Sequence, residues 1–169
     1  MNLPKEFIGP APRDYSDIEV LDHVQRCGCH IWGVREEEDA PSYFFSVGLF
    51  ANYSHPEILV FSTGTNAGAH WINAIGERAS RGIQYSAGDI LTDLVEGIPL
   101  HFADVPVELY PDYLGYAMWF YGSLAEPFPC LQLVWPDAAG KLPWQIGCDE
   151  EVKAEQPVLA IQHGGRLHS

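Results

Sequence analysis

Four residues in the first third of the chain carry the side chains of a hydrolytic site: His30, Ser46, His55 and Glu57. A serine or cysteine nucleophile needs an imidazole to take its proton and an acid to orient that imidazole. Ser46 with His55 and Glu57, or Cys29 with His30, supplies those types. The surroundings do not reproduce the G-x-S-x-G turn that exposes a nucleophilic serine, and Ser46 reads equally as a strand residue. His55-Pro56-Glu57 reads equally as a turn entering a strand, with the imidazole serving backbone groups.

Metal chemistry has a weaker claim. Zinc takes four nitrogen or sulfur ligands in a tetrahedron, and Cys27-x-Cys29-His30 with His55 offers four such side chains. The spacing is not C-x-x-C, and neighbours on a strand point to opposite faces. Cys130 and Cys148 lie far away, so four reduced, mostly buried thiols are expected, with no metal and no cofactor. Gly64 and Gly68, at a strand-to-helix junction, offer backbone N–H groups to an anion. The junction lacks a P-loop lysine, and a tight turn with a helix cap explains both glycines.

The elements that position these residues follow from pattern. Ser16, with Glu19 three residues on, predicts a capping box for a helix over Asp17–Cys27, stopped by Gly28. Cys29–Val34 and Ser42–Gly48 predict an antiparallel hairpin around Glu36-Glu37-Glu38-Asp39. Residues Glu57–Ser62 are apolar without alternation and predict a strand covered on both faces. A helix capped by Thr65 or Asn66 runs to Gly82, with Ile72, Ile75 and Ala79 on one face. Two short strands turn near Gly97, a helix covers Pro111–Tyr121, and Leu131–Trp135 forms the last clear strand. That order points to a single α+β domain over residues 15–162, with a mixed or mainly antiparallel sheet and about three helices. Residues 1–14 form an irregular arm, and residues 163–169 a flexible tail.

Charge narrows the partner class. The 169 residues hold 23 Asp and Glu against 9 Lys and Arg, for a formal charge of -14. Nucleic acid and anionic membrane repel such a chain, while a basic protein is attracted to it. No run approaches the ~20 apolar residues of a membrane span, and the N-terminus lacks a signal-peptide core, so a cytoplasmic protein is expected. Between Arg81 and Lys141 there are eight carboxylates and no cation. Glu36, Glu37, Glu38 and Asp39 make one acidic patch; Asp104, Glu108 and Asp112 make another. Tyr113 and Tyr116 lie among the second group, in a segment with the composition of an interface anchor. A homodimer through that aromatic segment is the simplest version of such an interface.

Several strings taken together resemble one family. These are Gly28-Cys29-His30, Pro41-x-Tyr43-x-x-Ser46-Val47-Gly48-Leu49 and His55-Pro56-Glu57-Ile58, followed by Tyr113-Leu114-Gly115, Leu131–Asp137, Pro143-Trp144 and Gln156-Pro157. They resemble an uncharacterised bacterial domain-of-unknown-function family over about residues 20 to 160. Cys29 and Ser46 depart from the commoner residues, an aromatic or other residue and a threonine. The resemblance implies no activity, although small acidic proteins of this kind look like immunity proteins encoded beside toxins. The expectation is therefore a non-catalytic immunity protein that neutralises a cognate toxin, for instance a basic nuclease. The alternative is a hydrolase-like or ligand-binding domain with a His30/Ser46/His55/Glu57 pocket.

Overall fold

The structure is a computed structural model that describes residues 7–61 and 65–162. Its elements run α1 (Tyr15–Cys27), β1 (His30–Val34), β2 (Tyr43–Val47), α2 (Leu49–Tyr53), β3 (Glu57–Phe61), α3 (Ala67–Ser80), β4 (Ile90–Val95), β5 (Ile98–Asp104), a 3-10 turn (Val107–Leu109), α4 (Tyr110–Tyr113), α5 (Gly115–Phe120), β6 (Cys130–Val134), α6 (Glu150–Glu155) and α7 (Leu159–Gln162). The six strands form one sheet in the order β1-β2-β3-β6-β5-β4. Every neighbouring pair is antiparallel except β3 with β6. This is the α+β architecture with a mainly antiparallel sheet that the sequence pattern predicts.

Alternation along each strand sends side chains to opposite faces, and both faces are covered. Phe45, Leu59 and Phe61 pack with Val20 and Val24 of α1 and with Leu114, Ala117 and Phe120. Ile58, Val60, Leu131 and Leu133 pack on the other side with Ile72 and Ile75 of α3. A smaller group, Ala103, Val134, Leu142, Val158 and Ala160, closes β5 and β6 under the C-terminal segment. Hence β3 and β6 are buried along their whole length, as the unbroken apolar run of β3 requires.

Several local expectations need correction. The first helix begins at Tyr15, and its N-cap is Asp14, whose carboxylate accepts from the Asp17 N–H at 2.9 Å. The Ser16–Glu19 capping box does not form, because aspartate, as good a cap as serine, takes the position first. The single helix expected over Pro111–Tyr121 is two: Leu114, at φ -119° and ψ 35°, separates α4 from α5 just before Gly115. Glycine is a poor helix former, and the break lets Tyr110, Leu114, Ala117 and Phe120 all reach the core. The short helix α2 and the helices α6 and α7 that follow the last strand add to the predicted elements. The N-terminal arm is irregular but anchored, with the Phe7 ring tilted against Phe120 and Tyr121 and the Ile8 carbonyl accepting from Ser123 Oγ. Residues 1–6 and 163–169 lie outside the described residues.

Two glycines set the junctions around α2. Gly28 ends α1 at φ 92°, and a Cβ there would collide with the Tyr53 phenol. Gly48 leads β2 into α2 at φ 114°, where a Cβ would sit 2.8 Å from Val24 Cγ1. Gly48→Ala therefore combines left-handed strain with a core clash and should cost more than about 2 kcal/mol. Chemical denaturation checks this; a variant as stable as the parent would refute the reading of Gly48.

Candidate functional site

The segment containing Ser46, His55 and Glu57 folds on itself at the centre of the molecule. Gly48 turns the chain into α2, whose leading N–H groups have no side-chain cap of their own, and such orphan donors must find acceptors. They find Glu57, the first residue of β3. Its Oε1 accepts from Gly48 N at 2.8 Å, from Phe50 N at 3.2 Å and from the Tyr121 hydroxyl. Its Oε2 accepts from Ser46 Oγ at 2.5 Å. Ser46 Oγ accepts in turn from Ile58 N at 2.9 Å, and the Tyr121 oxygen from Ala51 N at 3.1 Å. Ser46 and Glu57 have no exposed surface. Burial pushes the Glu57 carboxyl above its ordinary range against the pull of its four donors, and drives the Tyr121 phenol well above its own.

His55 does not join them. Ser54 adopts a left-handed φ of 55° after α2, and the imidazole that follows is fully buried. Its Nδ1 lies 2.8 Å from the Pro56 carbonyl, which can only accept, so Nδ1 carries the proton. Its Nε2 then accepts from the Tyr85 N–H at 3.2 Å. Burial lowers its pKa, which keeps the ring neutral. His30 lies apart on β1, with its Nδ1 2.8 Å from Nδ1 of His23 and its ring against Trp32. The arrangement thus brings Ser46 to Glu57, and commits His30 and His55 to other partners. Ser46, sealed from solvent, thus ties β2 to β3 through Glu57 and Ile58.

The thiols and the glycine junction behave similarly. Cys27 is exposed, Cys29 half-buried, Cys130 and Cys148 buried, and all four are free. Burial and the neighbouring Glu57 push the Cys29 thiol up to about 12. Among the described residues, no three His, Cys, Asp or Glu side chains converge as a metal set. Gly64 lies outside the described residues; Gly68 lets α3 approach Val60 and Phe44, where a Cβ would sit 2.8 Å from Val60 Cγ1.

Later strings do the same structural work. Gln156 clamps the backbone of Trp135 from both sides, accepting from its N–H at 2.9 Å and donating to its carbonyl at 2.7 Å. Gln132 donates to the Pro157 carbonyl at 2.9 Å and accepts from Leu159 N at 3.0 Å. Asp137 accepts from Ala139 N, Lys141 N and Asp149 N, closing the loop after β6.

The candidate binding residues lie at the surface. Glu36, Glu37, Glu38 and Asp39 are exposed in the β1–β2 connection, and Asp104, Glu108 and Asp112 are exposed from the end of β5 into α4. Asp104 and Asp112 form no ion pair among the described residues; of the eight acids between Arg81 and Lys141, Asp93 meets Arg78 at 2.8 Å. Tyr113 is half-buried, edge-on to Tyr43, whose hydroxyl donates to the Tyr113 carbonyl at 3.0 Å. Burial, Tyr113 and the charge of Glu37 together push the Tyr43 phenol up to about 12. Tyr43 and Tyr113 therefore form an aromatic seam between the hairpin acids and those of α4. Tyr116 stacks on Trp32 with centroids 4.2 Å apart and donates to Asp17 at 2.5 Å. Asp17, which the sequence reading passed over, is buried and also accepts from the Arg13 guanidinium at 2.8 Å; this hydrogen bond holds its carboxyl well below the usual range.

Residues 23–149 match the family described as Domain of unknown function (DUF4262), and the chain belongs to that family. No curated protein and no solved structure matches it.

Two measurements follow from the geometry. Ser46→Ala removes a donor from Glu57 and the acceptor of Ile58 N–H, and should cost about 1–3 kcal/mol; an unchanged denaturation midpoint would show that the cluster carries no stability. The acids oppose one another with pH. The Asp17 pKa is lowered on folding, so its contribution is present above about 3.8 and lost as pH falls through the folded value. The Glu57 pKa is raised, so its contribution is full below 4.5 and is lost as pH rises through the folded value. Asp17→Asn should flatten the acid limb of the stability profile, and Glu57→Gln the fall above pH 4.5. Profiles parallel to the parent's would contradict both assignments.

Proposed function

We propose that this chain is a non-catalytic binding protein that recognises a basic protein through its acidic, aromatic-lined face. Its most specific form is an immunity protein that neutralises a cognate bacterial toxin, for instance a basic nuclease. The observation that carries the binding reading is the exposed run from Asp104 through Glu108 to Asp112. It lies beside half-buried Tyr113, in a stretch without lysine or arginine from residue 82 to 140. Such a surface raises the encounter rate with a cationic partner, while aromatic anchors slow dissociation. The toxin partner draws its support from the likeness of small acidic proteins of this kind to immunity proteins. A cytoplasmic location accords with it, and no helix among the described residues is long and apolar enough to cross a membrane.

The alternative, a hydrolase-like or ligand-binding pocket at His30, Ser46, His55 and Glu57, draws less from the geometry. His55 has both ring nitrogens on backbone partners, and Ser46 is sealed.

Co-expression of the tagged chain with the product of its adjacent gene tests the proposal. A stable 1:1 complex that weakens as salt rises is the expected result, since exposed charges are screened within about 8 Å at physiological ionic strength. Reversing Asp104 and Asp112 to lysine should slow association at low salt and leave thermal stability near the parent's. A well-folded chain that elutes alone would defeat the proposal.

A further inference from the structure

Two adjoining depressions of about 440 and 550 Å³ flank α4 and share Val107, Tyr110, Pro127 and Phe128. Their floor is apolar. Val107 is 46% and Met118 40% exposed there. The Tyr110 and Phe128 rings lie 4.8 Å apart, and the Tyr110 hydroxyl donates to the Phe128 carbonyl at 2.7 Å, so this tyrosine has committed its polar end internally. Asp104 lines one depression and Glu126 the other, Asp112 follows Pro111 of the lining, and no lysine or arginine lines either.

An apolar trough with a carboxylate rim selects its occupant by two complementary terms. A neutral apolar segment would leave the rim without counter-charge, and a purely cationic one would leave the floor wet. We propose that this groove docks a segment of the partner protein in which an apolar side chain is flanked by lysines or arginines. The inference rests on the binding reading above and localises it to Val107, Tyr110, Met118 and Phe128 between Asp104 and Glu126.

The methionines are Met1 and Met118, so methyl-labelled methionine places a reporter in the groove of the full chain. The probe is a capped peptide alternating lysine with leucine and phenylalanine; the control replaces its apolar residues with serine. The Met118 methyl resonance should shift saturably with the probe, with an affinity that falls several-fold as salt rises and is at least several-fold weaker for the control. Asp104→Lys with Glu126→Lys should weaken probe binding by about tenfold, the loss expected for about 1.4 kcal/mol, while an unchanged methyl spectrum of the free variant reports an intact fold. An unmoved Met118, equal affinity for the control, or undiminished binding by the double variant would overturn the groove. A complex with the adjacent-gene product in which Met118 does not shift also overturns the groove and spares the binding reading. The absence of any complex removes that reading and the groove's partner with it.

Discussion

A carboxylate with no exposed surface dictates the centre of this protein. Glu57 is costly to strip of water, and it is tolerable where its oxygens accept enough hydrogen bonds to replace the lost hydration. Those four bonds come from three places: the end of β2 through Ser46, the entry to α2 through Gly48 and Phe50, and the helical segment near residue 120 through Tyr121. A short helix that cannot cap itself thereby borrows a cap from the neighbouring strand. Displacing any donor leaves charge or N–H groups unpaired in the interior, so the elements are fixed relative to one another.

The same economy extends along the sheet. The parallel contact between β3 and β6 joins strands far apart in sequence, and side-chain amides seal what lies beyond it. Gln132 and Gln156 use both ends of their amides on backbone partners, attaching the C-terminal segment to β6. Asp137 closes the following loop. The buried polar side chains of these segments are therefore committed to internal hydrogen bonds. The proposed recognition falls to the surface, where the acids lie near aromatic side chains in a stretch without lysine or arginine from residue 82 to 140.

Much of the fold was legible because it depends on local periodicity. The unalternating apolar run Ile58–Phe61 gave a strand covered on both faces, the hairpin followed from two aromatic strands around an acidic turn, and α3 from its apolar stripe. What was illegible depends on partners distant in sequence. Five residues of α2 are too few to show a helical period, and its cap lies on another strand. Glu57 looked like a titratable candidate because its type is visible in the sequence while its four donors are not. Tyr121, 64 positions away, gave no sign of meeting it. The break at Leu114 is marked by Gly115, and Gln132 and Gln156 are marked as polar residues set in or beside apolar stretches, where a buried amide must find partners.

Two kinds of residue are thus separated: those that hold the scaffold and the exposed acids that we propose face a partner. The most direct test compares them by measuring the association rate with the adjacent-gene product for Ser46→Ala and for Asp104→Lys/Asp112→Lys, each well below its unfolding midpoint. The expected result is that Ser46→Ala binds at the parental rate despite its lower midpoint, while the charge variant keeps its midpoint and associates more slowly. Loss of binding by a fully folded Ser46→Ala, with the charge variant unaffected, would contradict the division and return the function to the buried centre.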